Sequence, residues 1–116
     1  MSSIVRTAET LSANPDDTAP TWISIGRAWL EQEEPDWAHA CLENAAAAAP
    51  KNDEIHHELG LSWHRKNEAR QALSAFQQAA KLNPNHAGTW HNIGQCHQRL
   101  GQASEAIEAF EKALAI

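Results

Sequence analysis

Cysteine is scarce in this sequence, and Cys41 and Cys96 stand far apart with no CxxC spacing. This arrangement favours two reduced thiols over a structural disulfide. Basic residues are also few, with 9 Lys and Arg against 15 Asp and Glu and a formal net charge of -6. That balance argues against nucleic-acid binding driven by phosphate neutralisation.

Long apolar runs are absent, so no stretch of the sequence is expected to span a bilayer. The opening residues, MSSIVRTAETLSANPDD, lack the basic start and the apolar core of a signal peptide. Both absences predict a cytoplasmic protein without a membrane partner, or the cytoplasmic part of something larger. A chain of 116 residues can bury one modest core.

What the sequence does contain is a pattern that recurs every 34 residues without insertion or deletion. Such a fixed period is typical of stacked repeats. Numbered from Ala19, the units cover 19–52, 53–86 and 87–116, after an N-terminal segment at 1–18. The positions that recur most clearly are the eighth (Gly26, Gly60, Gly94), the twentieth (Ala38, Ala72, Ala106) and the twenty-fourth (Leu42, Phe76, Phe110).

Within each unit, apolar or small residues follow helical spacing in two sets, separated by the short breaks EEP, KNE and LGQ. Asn67 and Gly101 share a position in these breaks, and both residues tolerate the left-handed conformation that ends a helix. Pro50 and Pro84 end the second helix. The pattern therefore predicts an all-α fold in which each unit is a helical hairpin.

A glycine inside a helix is unfavourable by about 1 kcal/mol relative to alanine. We interpret the glycine at the eighth position of each unit as a packing residue that faces the alanine at the twentieth. Two small residues would let the paired helices approach closely, with large side chains filling the space around them.

The segments WISIGRAW, HHELGLSW and WHNIGQCH, followed by AHACLENA, ALSAFQQA and AIEAFEKA, resemble the two helices of the tetratricopeptide repeat family. The resemblance covers nearly all of 19–116. It implies a right-handed superhelical solenoid of helix-turn-helix hairpins, whose first helices line a concave groove that holds peptides or partner proteins. It implies no catalysis and no cofactor.

The two ends depart from the family pattern. Residues 2–13 resemble the tail of a preceding second helix, which predicts a degenerate N-terminal capping helix, with a frayed tail as the alternative. The family usually closes with an extra helix, whereas this sequence ends within the third unit. We therefore expect Phe110 and Leu114 to be exposed and to support a homodimer through the last helix.

The resemblance also implies which side chains face the groove. They are Ile23, Arg27, His57, Leu61, His64, Arg65, His91, Gln95, Gln98 and Arg99. Ile23 and Arg27 stand where the family's carboxylate clamp for chaperone C-termini has Lys and Asn, and Glu58 replaces another Asn, which argues against such a partner.

The three arginines and three histidines of this lining outnumber Glu31 and Glu54. One hypothesis is therefore an acidic partner segment, bound more tightly as the histidines protonate below about pH 6.5. The alternative is a solvated face without ligand selectivity.

Seven histidines raise the question of a metal site. His56 and His97 occupy core positions that are usually aromatic, and His57 and His64 would lie about 10 Å apart along a helix, too far for one ion. We predict no metal site. We also predict no catalysis, because Cys96 and His97 are adjacent on a helix and cannot face each other, and Cys96 should be buried between repeats.

Trp37 has no equivalent in the other units. We favour the interpretation that it covers the first hairpin over the alternative of an exposed contact residue. For the chain as a whole, the leading hypothesis is a non-catalytic protein-interaction module. The alternatives are a self-association element and the repeat region of a larger enzyme or regulator.

Overall fold

The computed structural model describes residues 15–116, and six α-helices make up most of this range, which contains no strand. The helices are α1 (Pro15–Glu31), α2 (Pro35–Ala48), α3 (Asp53–Arg65), α4 (Ala69–Leu82), α5 (Ala87–Arg99) and α6 (Ala103–Ala115). The predicted capping helix at 2–13 lies outside the described residues. Helix α1 begins at Pro15, ahead of the expected start of the first unit at Ala19.

One turn geometry joins the two helices of every hairpin. Glu33, Asn67 and Gly101 all have positive φ, at 59°, 62° and 74°. The backbone N–H that follows each of them donates to the carbonyl five residues back, at 2.9, 3.0 and 2.8 Å. The prediction for Asn67 and Gly101 is confirmed. Glu33 adopts the same conformation although its side chain disfavours it, because the helices on either side fix the length of the turn.

The first helices of the second and third hairpins begin at equivalent N-cap residues. Asn52 accepts the backbone N–H of Ile55 at 3.3 Å, and His86 accepts that of Thr89 at 3.1 Å. Asparagine is a common cap, whereas an imidazole can act as one only while its acceptor nitrogen is unprotonated. Two successive repeats therefore use chemically different caps at one position.

The hairpins stack in chain order, so that each helix packs against its neighbours in the sequence and α1 also contacts α3. Buried residues form two clusters along this stack. The first is built around Trp22, Leu42 and Ile55 and the second around Phe76 and Ile93, while Leu61 contacts both. The hydrophobic core is therefore continuous from one hairpin to the next.

Trp37 belongs to this packing. Its ring stacks on Trp29 with the centroids 5.8 Å apart, and it lies half-buried against the first cluster. This confirms the interpretation that Trp37 covers the first hairpin.

The packing around the glycines differs from the sequence-based interpretation. A Cβ built on Gly60 would lie 2.5 Å from the Phe76 ring, and one on Gly94 would lie 2.6 Å from the Phe110 ring. On Gly26 it would meet Leu42 at 2.9 Å. The glycine thus faces the bulky residue at the twenty-fourth position of its unit, not the alanine at the twentieth. The alanines are buried as well, but the space left by the missing Cβ is filled by a large side chain.

We expect Gly60→Ala to lower the free energy of unfolding by about 1–2 kcal/mol. The 2.5 Å approach to the Phe76 ring places the overpacking cost in the upper part of the usual range of roughly 1–3 kcal/mol, and the gain of about 1 kcal/mol that alanine brings to a helix is subtracted from it. The Phe76 ring is fully buried, so it cannot turn away without displacing its neighbours. Urea unfolding measures the difference.

A second variant tests the contact itself. Phe76→Leu reproduces in the second repeat the Gly26–Leu42 pair of the first, and leucine is more flexible than a phenyl ring. Gly60→Ala should therefore be less destabilising in a Phe76→Leu background than in the wild type. Equal effects in the two backgrounds would contradict a direct contact between these positions.

Candidate partner-binding face

The predicted groove residues lie on the first helices α1, α3 and α5, and we refer to them together as the first-helix face. Side-chain hydrogen bonds join successive repeats along this face, from Arg27 to Glu58, from Arg65 to the Leu30 carbonyl and from His57 to Thr89. Its exposed residues are Arg27, Arg65, His91, Gln98 and Arg99, and its half-buried residues are His57, Leu61, His64 and Gln95.

Ile23 is a correction to the predicted set. Its side chain is only 2% exposed and packs in the first core cluster. The equivalent residues in the other repeats are His57 and His91, which retain exposed surface. An aliphatic side chain at this position is stabilised by burial, so Ile23 contributes to folding and not to an accessible surface.

Arg27 is neutralised within the protein. Its Nε donates to Oε1 of Glu58 at 2.7 Å, and the Glu58 carboxylate is almost completely buried. The hydrogen bond to Glu58, and then the charge of that carboxylate, raise the pKa of Arg27. A buried carboxylate requires such a partner, so the positive charge of Arg27 is committed to the fold.

Arg65 and Arg99, which we call the cationic pair, are held in a different way. Arg65 donates to the Leu30 carbonyl at 3.1 Å and Arg99 to Oδ1 of Asn67 at 3.2 Å. Both acceptors are neutral, and within residues 15–116 neither guanidinium forms a salt bridge with a carboxylate. The hydrogen bonds orient the two side chains and leave their charges uncompensated.

His64 lies beside the cationic pair, and the charges of both guanidinium groups act on its imidazole. Burial lowers the pKa of His64, and the positive charges of Arg99 and Arg65 lower it further. The two guanidinium groups therefore act on the same imidazole, although they belong to different repeats. This part of the first-helix face has a positive local potential in a protein whose net charge is -6.

The expected protonation of the groove histidines near pH 6.5 does not hold for His57 or His64. Burial, and then the charges of His86 and Arg27, lower the pKa of His57 to about 4, while Asp53 acts in the opposite direction. The pKa of His64 is lowered as well. The His57 ring therefore remains neutral at pH 6, and the His64 ring is harder to protonate than an exposed histidine, because the positions that make them part of the face also remove them from water.

Family models of the tetratricopeptide repeat match residues 53–86 and 87–116, which together make up more than half of the chain. The chain belongs to the tetratricopeptide repeat (TPR) family. No curated protein matches the sequence.

Several solved TPR structures are similar to this chain. The second TPR domain of Spaghetti (RPAP3), bound to the HSP90 peptide SRMEEVD, has a TM-score of 0.82 and 17% identity, covering 95% of this chain and 97% of that one. The TPR domain of Arabidopsis FLU has a TM-score of 0.79 and 17% identity, covering 87% and 95%. MamA has a TM-score of 0.79 and 25% identity, covering 84% of this chain, which spans 57% of the length of MamA.

His56, His97 and Cys96, which the sequence analysis considered as metal or catalytic candidates, are engaged in the fold of these TPR hairpins. His56 Nε2 contacts the Pro50 carbonyl at 2.7 Å and His97 Nδ1 contacts the Gln102 side chain at 2.7 Å, in agreement with their predicted structural role. Burial raises the pKa of the Cys96 thiol to about 11, so this cysteine is a poor nucleophile. Among the described residues, no three potential ligands are grouped to hold a metal ion.

The protein contains a cleft that the sequence analysis did not predict. It has a volume of about 550 Å³ and lies between α4, α5 and α6, away from the first-helix face. Trp90 and Ile93 line it, and Lys112 lies over the Trp90 ring at 4.5 Å. Trp90 and Ile93 follow the helical spacing of the apolar residues, which predicts burial and does not indicate that one side of them remains open.

No helix in the described part of the chain has the length and apolar content needed to cross a membrane.

The surface of α6 agrees only in part with the expectation for the last helix. Leu114, Ile107 and Ile116 are 88%, 57% and 54% exposed. Phe110, in contrast, packs into the space over Gly94 and beside the His91 ring, as Phe76 does in the preceding repeat. Phe110 is therefore mainly part of its own hairpin, and Leu114 is the predicted residue that is accessible.

We expect Arg27→Met to destabilise the fold by about 1–3 kcal/mol, because it leaves the buried Glu58 carboxylate without its partner. The double variant Arg27→Met/Glu58→Met should recover most of this loss, since both charges are then removed. Urea unfolding at pH 7 provides the comparison.

Asp36→Asn is the matched control. It removes one partner of the Asp36–Lys66 ion pair, in which Asp36 is 83% exposed, and should change stability by less than about 1 kcal/mol. If the double variant is as unstable as Arg27→Met, the unpaired carboxylate is not the cause.

Proposed function

We propose that this TPR protein is a non-catalytic interaction module that binds an acidic segment of a partner protein on its first-helix face. The observation that carries the proposal is the cationic pair: Arg65 and Arg99 are exposed, oriented by neutral acceptors and unpaired with any carboxylate among the described residues. Guanidinium groups in this state retain donors for the carboxylates of a ligand.

Local charge decides the partner's chemistry more than net charge does. At physiological ionic strength, charges separated by more than about 8 Å are largely screened from one another. An acidic segment next to Arg65 and Arg99 therefore experiences mainly these two groups and not the overall charge of -6. Gln95 and Gln98 on α5 supply polar side chains along the same face.

Similar folds support a peptide ligand in general terms. The RPAP3 domain is bound to SRMEEVD, a peptide with three acidic residues. At 17% identity that likeness extends to the fold alone. The residues Ile23, Arg27 and Glu58 argue against a chaperone C-terminus as the partner here, since Ile23 is buried and Arg27 is already paired with Glu58.

We also propose a cytoplasmic location. Cys41 and Cys96 are both buried and not bonded to each other, and burial raises the pKa of both thiols. Free thiols in a small domain are typical of a reducing compartment.

We expect acidic peptides to bind the wild type better than basic peptides of equal length, with affinity falling as salt is added. Arg65→Glu/Arg99→Glu should weaken the acidic peptides by about tenfold or more, because a hydrogen bond to a charged group contributes about 1.5–3 kcal/mol and 1.4 kcal/mol is tenfold. Fluorescence anisotropy with labelled peptide pools measures both effects.

Arg70→Glu is the control, because Arg70 is an exposed arginine at the start of the second helix α4 and makes the same change in net charge as either single variant, Arg65→Glu or Arg99→Glu. Arg65→Gln/Arg99→Gln separates lost attraction from added repulsion. Equal binding of acidic and basic pools, or equal effects of the Arg70 and cationic-pair variants, would refute an acid-selective face.

A second proposed function is self-association through α6. Ile107 and Leu114 are exposed there, and they are the third-repeat equivalents of Leu73 and Ala80. Leu73 and Ala80 belong to the cluster that α4 forms with α5 of the next repeat. The exposed residues thus occupy positions that elsewhere in this chain contact another helix. The remaining alternative is that these repeats belong to a larger enzyme or regulator; this chain spans 57% of the length of MamA.

For self-association, we expect a dimer at micromolar concentration that Ile107→Glu/Leu114→Glu weakens, as measured by sedimentation velocity. Both residues are exposed, so the substitutions should leave the fold intact. Phe110→Glu is unsuitable, because it would also disrupt packing on Gly94. A wild type that remains monomeric throughout the concentration range would exclude this function.

A further inference from the structure

The boundary between the second and third repeats contains a chain of hydrogen bonds that joins two histidines through one threonine. His57 Nδ1 lies 2.9 Å from Thr89 Oγ1, and Thr89 Oγ1 lies 2.9 Å from His86 Nδ1. The Thr89 backbone N–H also donates to His86 Nδ1 at 3.1 Å. Thr89 is only 2% exposed, so the middle of the network is shielded from water, whereas His86 at its end is exposed.

The backbone contact determines where the protons lie. Because His86 Nδ1 accepts a backbone N–H, it carries no proton, and the ring is neutral with its proton on Nε2. The Thr89 hydroxyl can then donate to the same nitrogen, sharing its single lone pair with the backbone N–H, and the Thr89 oxygen accepts from a proton on His57 Nδ1. Only this arrangement makes all three contacts hydrogen bonds, and it requires an unprotonated His86.

The surroundings of His57 disfavour a positive charge on its ring. The Phe76 ring from α4 lies edge-on with the centroids 5.5 Å apart, and the His86 ring lies at 5.0 Å. The charge of Arg27 on α1 still disfavours a protonated His57 although Arg27 is paired with Glu58, and Asp53 at the start of α3 acts in the opposite direction. Groups from α1, α4 and the cap of α5, together with one from its own helix α3, therefore surround the His57 ring.

We propose that the His57–Thr89–His86 chain is an acid-sensitive latch that fastens the third repeat to the second and loosens when its imidazoles protonate. Protonation of His86 Nδ1 turns an acceptor into a donor, which removes the N-cap of α5 and opposes the Thr89 backbone N–H. Protonation of His57 places a cation between the Phe76 ring and His86. Both events weaken the same boundary.

The pH range follows from the lowered pKa of His57, which is about 4 in the folded protein against 6.5 in an exposed chain. Between these values the unfolded chain binds more protons than the folded one, so stability is present above pH 6.5 and is lost as the pH falls towards 4. The latch should therefore loosen in mildly acidic solution. Loosening the latch would also move α5, which carries Arg99, relative to α3, which carries Arg65. The hydrogen-bond chain itself does not depend on whether the first-helix face binds a ligand.

The repeat itself supplies the test variant. Asn52 caps α3 at the position that His86 occupies before α5, and an Asn amide does not titrate. We expect the melting temperature of the wild type to fall on moving from pH 7.5 to pH 5.0 by about 5 °C more than that of His57→Asn/His86→Asn, since about 4–8 °C corresponds to 1 kcal/mol in a small domain. His91→Asn, at an exposed histidine on α5, should keep the full wild-type response.

Hydrogen exchange at pH 5.0 shows where the change occurs. Comparing the wild type with the double variant at one pH cancels the intrinsic pH dependence of exchange. We expect the wild type to lose protection at the start of α5 and at the Trp90 indole, whose N–H donates to the Pro84 carbonyl at 2.7 Å, while α1 and α2 remain protected.

If the double variant folds poorly, His57→Asn alone is decisive, because it removes the imidazole whose lowered pKa sets the pH range. It should show a smaller pH-dependent fall in melting temperature than the wild type. An equal fall in wild type and His57→Asn, or loss of protection that is uniform along the chain, would overturn the proposal.

Discussion

In each hairpin, a large side chain from the second helix occupies the space that a Cβ would take on a glycine of the first. Phe76 fills this space over Gly60 and is completely buried, and Leu42 and Phe110 do the same over Gly26 and Gly94. The contact fixes the separation of the two helices, because an interior packed at this density allows neither a gap nor an extra methyl group. The links between repeats depend on that separation, since hydrogen bonds hold only over a few tenths of an ångström.

The three arginines of the first-helix face show how one residue type takes different roles at related positions. Arg27 is bound to a buried carboxylate and belongs to the fold, whereas Arg65 and Arg99 are bound to neutral oxygens and keep their charge. The difference arises from Glu58 and not from the arginines. Charge on this TPR face is therefore concentrated towards the second and third repeats, next to a histidine that both guanidinium groups influence.

The repeat period was sufficient to predict the hairpins, their turns and most of the core. The register of the repeat predicts the positive φ at Asn67 and Gly101. The same register predicts a positive φ at Glu33, although glutamate is not a residue type that indicates this conformation. The partners of the glycines were not predictable from spacing alone, because the twentieth and twenty-fourth positions lie on the same side of a helix. The pKa of His57 could not be predicted either, since it depends on burial and on the charges of Arg27 from α1 and His86 at the cap of α5.

The order of the contacts has a consequence for how the chain folds. Apart from α1 and α3, the helices of the described stack that pack most extensively are consecutive in the sequence. Relative contact order is then low, and helical domains of this kind fold in roughly microseconds to milliseconds. A hairpin that forms early offers its second helix as a surface for the next one, so structure can spread from any repeat in either direction. Folding would then pause at the boundary where two neighbouring repeats stabilise each other least. Partly folded chains would accumulate with their folded part ending at that boundary.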